Sequence, residues 1–122
     1  MKSSKHIELS SQNVEKITAL FPTKIFKAKS TLFYEGQIPI SGYLVVLGTI
    51  QITKKKKFKK LLSTGTLVGI SDLMNKTPSS ICVEVFPNTQ ICFLDKTTLM
   101  EMWNLVDHEL SKILQNLIVE KI

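Results

Sequence analysis

Tyr43-Leu44-Val45-Val46-Leu47-Gly48-Thr49-Ile50-Gln51-Ile52 decides the reading of the fold: two short apolar or alternating runs divided by one glycine. Runs of roughly four to eight such residues bounded by turn residues form strands, so the stretch predicts a hairpin. The pattern repeats on both sides. Ile25–Phe26 and Thr31–Tyr34 precede it, and Leu61–Leu62, Leu67–Val68, Ile81–Phe86 and Gln90–Leu94 follow. Breaks at Gly36, Pro39, Gly42, Gly65, Gly69, Pro78 and Pro87–Asn88 separate the runs. Many short strands at close spacing predict a mainly β domain, a roll or barrel over 24–94.

Helical periodicity flanks the roll. Ser10 or Ser11 can cap a helix in which Val14, Ile17, Leu20 and Phe21 share a face, and Pro22 ends it, giving a helical lead over 1–22. Past Leu94, Thr98-Leu99-Met100-Glu101 is a capping box, and Asp107 can cap a second helix. Leu110, Ile113, Leu114, Leu117 and Ile118 form an apolar stripe at helical spacing, so two helices are expected over 97–122. That stripe either packs down on the roll or pairs with a second copy as a homodimer seam. No linker or repeat divides the chain, and its 122 residues fit one domain, 1–122.

Composition narrows the function classes. With 43% apolar residues the chain can build a core without metal or disulfide staples. Its polar N-terminus has no signal-like apolar segment, and its apolar runs are too short to span a bilayer, so a cytoplasmic protein is expected. Cys82 and Cys92 lack metal or redox spacing and read as reduced, partly buried side chains. His6 and His108 stand apart from other ligand types, which predicts no metal site and no cofactor. The ten carboxylates are scattered and no nucleophile elbow accompanies the serines, so no catalytic residues are assigned and no enzyme is expected.

The net charge of +6 has one source. Lys54, Lys55, Lys56, Lys57, Lys59 and Lys60 lie within seven residues, and all sixteen basic residues are lysine. The run falls between two strands and is expected at an exposed hairpin tip. Its plain reading is a solvated turn; its sharper one is a contact surface for an acidic protein or another anionic surface. The absence of arginine and of interleaved aromatics argues against specific DNA readout.

The ordered set of motifs resembles the cyclic-nucleotide-binding domain superfamily, the β-roll of catabolite activator proteins and protein kinase A regulatory subunits. Thr31-Leu32-Phe33-Tyr34-Glu35-Gly36 is similar to the family's x-Ile-Phe-x-Glu-Gly turn, and Tyr43 to Ile52 to its Tyr-x-Ile-x-x-Gly-x-Val-x-Val hairpin. Gly65 and Gly69 stand where the family writes Gly-x-x-Phe-Gly. The resemblance covers about 24–122 and implies a double-stranded jelly-roll type of β-roll. It carries no helix-turn-helix beyond the closing helices, so no DNA-binding domain is expected.

The family's phosphate-binding cassette, Phe-Gly-Glu followed by a short helix and Pro-Arg-Ser/Ala-Ala-Thr-Val, aligns without a gap on Val68 to Val83. Ile70 stands where the resemblance implies the glutamate that accepts the ribose 2′-hydroxyl. Ser79 stands where it implies the arginine that pairs with the cyclic phosphate, and Ser80 keeps a small hydroxyl beside it. A guanidinium fork matches two phosphate oxygens in a way lysine cannot copy. Leaving the ribose hydroxyls unpaired against Ile70 costs on the order of 1–3 kcal/mol each. Gly69, Ile70, Ser71, Ser79 and Ser80 therefore mark a degenerate ligand site. The expectation is a non-enzymatic signalling or scaffold module that acts through protein contacts without cAMP or cGMP. The alternative is a small-ligand sensor that holds another anion on the cassette amides.

Overall fold

The computed structural model of the chain describes residues 6–97, 99 and 100. Among them the chain runs β1 (His6–Glu8), α1 (Ser11–Thr18), β2 (Thr23–Phe26), β3 (Ser30–Phe33), β4 (Gly42–Leu47), β5 (Thr49–Lys54), β6 (Phe58–Ser63), β7 (Thr66–Val68), α2 (Ile70–Asn75), β8 (Cys82–Val85) and β9 (Thr89–Leu94). All pairings are antiparallel. The strands form a five-stranded sheet, β1-β7-β4-β9-β2, and a four-stranded sheet, β3-β8-β5-β6.

The period-two alternation of side chains explains the layering. In β4, Tyr43 and Val45 join Val68 and Ile91 in a cluster shared with Ile50, Ile52, Val83 and Val85 of the four-stranded sheet. The intervening Leu44, with Leu67, Cys92 and Leu94, joins Val14, Ile17 and Phe21 of the N-terminal lead and Ile70 and Leu73 of α2. The five-stranded sheet is thus a middle layer, covered by helices on one face and by the second sheet on the other. Both faces of β4 are buried because both are covered. In β5 only Ile50 and Ile52 are buried while Gln51 and Thr53 are part-exposed, so the far face of the four-stranded sheet meets solvent.

Three local expectations change. Gly48 is not a hairpin turn, because β4 and β5 belong to different sheets. It is the corner at which the chain crosses between them, at φ 110° and so close to Thr89 that a Cβ there would lie 2.8 Å from the Thr89 Cα. The N-terminal lead is not wholly helical, since β1 pairs with β7 before α1 begins. Ser10 caps α1, its hydroxyl accepting from the Asn13 N–H at 3.2 Å, and the helix stops at Thr18, which leaves Leu20 on the surface. Finally, the closing helix starts earlier than its capping box. Lys96 and Thr97 are already helical, and the Leu99 N–H donates to the Asp95 carbonyl at 3.0 Å.

Candidate functional site: the cassette and the basic hairpin

β7 delivers the chain into the cassette. Gly69, at φ 84°, turns the backbone and opens α2. Ile70 then points inward: it is 1% exposed and packs with Leu44, Leu67, Leu73, Leu94 and Leu99. Its side chain lies against Gly42, where a Cβ would collide with the Ile70 Cδ1. Burial of an isoleucine there contributes about 1.5–3 kcal/mol to the fold.

The far end of α2 is fixed by polar contacts. Lys76 closes it at φ 56°, and Thr77 donates its hydroxyl to buried Asp72 at 2.6 Å and its N–H to the Asp72 carbonyl at 3.0 Å. Ser79 is 3% exposed and engaged within its own turn. Its hydroxyl donates to the Ile81 carbonyl at 2.7 Å and accepts from the Ile81 N–H at 3.0 Å. Its backbone bonds to the β3–β4 loop on both sides, Ser79 N–H to Gln37 carbonyl at 2.9 Å and Gly36 N–H to Ser79 carbonyl at 2.7 Å. The buried hydroxyls of Ser71 and Ser80 have no hydrogen-bond partner. Buried hydroxyls are normally paired, so these two are the polar atoms of the cassette open to a ligand or a water.

The lysine run is longer in strand than expected. Lys54 ends β5, Lys59 and Lys60 lie within β6, and only Lys55 to Lys57 form the turn. Lys57 N–H donates to the Lys54 carbonyl at 3.1 Å, and Lys55 and Lys56 sit at φ 54° and 59°. Positive φ at both central residues is the signature of the tight I′ turn, which favours Asn-Gly. The Glu35 carboxylate holds this turn, accepting from the Lys55 N–H at 3.0 Å.

Beside the turn, the outer face of the four-stranded sheet carries an open groove of about 530 Å³. Gln51, Thr53, Cys82 and Glu84 form its floor, with Tyr34 and Glu35 on one side and Lys56 and Lys59 on the other. Register brings them together: Gln51 opposes Glu84, and Thr53 opposes both Cys82 and Lys59. Glu84 pairs with Lys29 at 3.8 Å and Glu35 holds the turn, whereas Lys56 and Lys59 pair with no acid among the described residues. Burial, then the Glu84 carboxylate, pushes the Cys82 thiol up, so it stands protonated at neutral pH.

Sequence reading missed this groove. Its residues run from Tyr34 to Glu84 in the sequence, and nothing short of strand register brings them to one face.

 The separation is that of β3 from β8, which pair directly in the sheet. Period-two alternation puts Gln51 with Thr53 and Cys82 with Glu84, but only the register sets the two pairs side by side. The stripe of Leu110, Ile113, Leu114, Leu117 and Ile118 lies outside the described residues. Among the described residues no three His, Cys, Asp or Glu side chains gather as a metal site, and no helix is long and apolar enough to cross a membrane.

No protein-family model and no curated protein matches the sequence. Solved structures do match. A protein from a cyclic-GMP-dependent signalling pathway that regulates bacterial phytopathogenesis superposes with a TM-score of 0.75 at 16% identity, over 93% of this chain and 91% of that one. The catabolite activator protein of Thermus thermophilus gives 0.67 at 21% identity, over 93% of this chain and 57% of that one. A cyclic nucleotide-binding-like protein from Brucella abortus gives 0.63 at 17%, over 76% and 84%. Two antiparallel sheets, a cassette helix between β7 and β8 and these superpositions lead to one conclusion: the chain has the fold of the cyclic-nucleotide-binding domains.

Proposed function

We propose that this chain is a non-enzymatic regulatory module of that fold, which works in the cytoplasm by contact with another protein and does not hold cAMP or cGMP in its cassette. The observation that carries this reading is the state of the two cassette positions. Ile70 is part of the apolar core, and the Ser79 hydroxyl is engaged with Ile81. Neither supplies the charge that a ribose phosphate needs, and the chain has no arginine to bring in from elsewhere. Calorimetric titration at high protein concentration tests it: no saturable heat is expected with either cyclic nucleotide. A Kd below about 10 µM, equivalent to roughly −7 kcal/mol, would overturn the reading.

The lysine hairpin is the contact surface in this reading. Lys55, Lys56 and Lys57 replaced by Gln should lose the partner in a pull-down from native lysate, with binding of the wild type falling steeply as salt rises. Equal recovery by both proteins would reduce the hairpin to a solvated turn.

The buried, unpartnered hydroxyls of Ser71 and Ser80 favour a second reading, a sensor for a small anion at the cassette. Titration with inorganic phosphate separates the two. Saturable shifts of the Ser71 and Ser80 amide resonances support the sensor, and their absence supports the module without a ligand.

A further inference from the structure

We propose that the free edge of β6 binds an extended acidic peptide of a partner protein by strand addition, with the lysine hairpin as its electrostatic landing site. The proposal rests on the protein-contact reading above and gives the partner a chemistry and a geometry.

β6 ends the order β3-β8-β5-β6, and among the described residues it pairs with β5 alone. Half of its backbone N–H and C=O groups therefore face outward, the template that strand addition uses. Its side chains state what could pair there. Leu62 turns into the core, whereas Lys59 and Leu61 are exposed on the solvent side of the sheet, Leu61 by 58%. A strand laid along this edge would set one side chain beside Lys59 and another, two residues on, beside Leu61. An acidic residue followed two positions on by an apolar one, both on the same face, satisfies both.

The turn adds an independent argument. Lys55 and Lys56 hold positive φ, a region that side-chain-bearing residues seldom adopt. Asn-Gly would close the same turn without that strain and keep it soluble. Lysine at both positions retains charge against the preference of the backbone. The charge is also available, since Lys56 and Lys59 pair with no acid among the described residues while Glu35 and Glu84 are engaged.

Other occupants fit less well. A second copy would bring one lysine-rich edge against another, and lysine on an edge strand opposes such pairing. An anionic membrane would need the lysines but makes no use of an open strand edge. The lysines thus oppose basic strands and admit acidic ones, which is specificity by repulsion as well as attraction.

Fluorescence anisotropy tests the proposal with three labelled peptides: Ser-Glu-Thr-Val-Thr-Glu-Thr-Ser, the same peptide N-methylated at both Glu and the Val, and the same peptide N-methylated at every Thr. All carry the same side-chain charge, but each methylated form loses one of the two alternate sets of amide donors. The unmodified peptide should bind, one methylated form should bind at least tenfold more weakly, and the other should bind within about twofold. Backbone amide resonances of 58–63 should move on binding. Equal affinity for all three peptides would overturn strand addition while leaving the lysine surface standing. No binding of any peptide, or binding only to phosphatidylserine vesicles, would also overturn it, and the glutamine triple variant in the lysate pull-down reports separately on the protein-contact reading.

Discussion

The Ile70 side chain fills the space in which a side chain at Gly42 would have to stand. Gly42→Ala should destabilise the fold by about 1–3 kcal/mol through overpacking, and Ile70→Val, which removes the Cδ1, should relieve much of that loss. Urea unfolding of the two single variants and the double variant measures the coupling. Independent effects would mean that the two side chains do not meet. Ile70→Glu, which supplies the residue that the resemblance implies there, buries a carboxylate among leucines and should cost about 3–5 kcal/mol at neutral pH. A stable Ile70→Glu protein would contradict the core placement. Cys92 gives a pH dependence. Its thiol is buried beside the Phe21 carbonyl, and burial raises its pKa from 9.0 to about 11. The folded state therefore holds the proton more tightly than the unfolded chain. This contribution is fully present below pH 9 and is lost as pH rises towards 11, on the order of 2–3 kcal/mol in all. Stability curves of wild type and Cys92→Ala between pH 8 and about 11 should converge towards the alkaline end. Parallel curves would remove the thiol from the account.

At the scale of elements, the turn at Lys55–Lys56 yields the plainest forecast. Lys55→Asn with Lys56→Gly should raise stability by about 0.5–1 kcal/mol while weakening capture of an acidic peptide, since strain and charge leave together. Thermal melting read beside the peptide assay checks both; a loss of stability would mean that the lysines are not strained. Much of this level was legible in the sequence. The strands of the roll and the Ser10 cap follow from alternation and capping chemistry, both local signals, whereas the cassette helix is what the resemblance implies. What escaped is set by distant partners. Gly48 looks like a hairpin glycine until Thr89 arrives beside it and sends β5 to the other sheet. β1 has too few residues to show a period and exists because β7 offers an edge. β6 hid its length behind lysines, which strand propensity disfavours but an edge tolerates. The groove escaped for the same reason: its floor is made by register between β5 and β8.

At the scale of the molecule, the C-terminal stripe is the next variable. Leu114→Asp places a charge in the middle of it. Light scattering after gel filtration should give a dimer for the wild type and a folded monomer for the variant. A monomeric wild type, with a lowered melting temperature in the variant, would assign the stripe to the roll instead. The order of the strands has a consequence in time. β9 is the last of the described strands in sequence yet stands between β4 and β2, and β8 likewise stands between β3 and β5. During synthesis, four strands leave the ribosome before the two that join them exist. A nascent chain that has not yet released Cys82 to Leu94 has neither sheet complete, so β2 to β5 must wait with their hydrogen-bonding edges open. Folding is then gated by the late arrival of long-range partners, which places it in the roughly millisecond-to-second range of β topologies and exposes stalled chains to chaperones and aggregation.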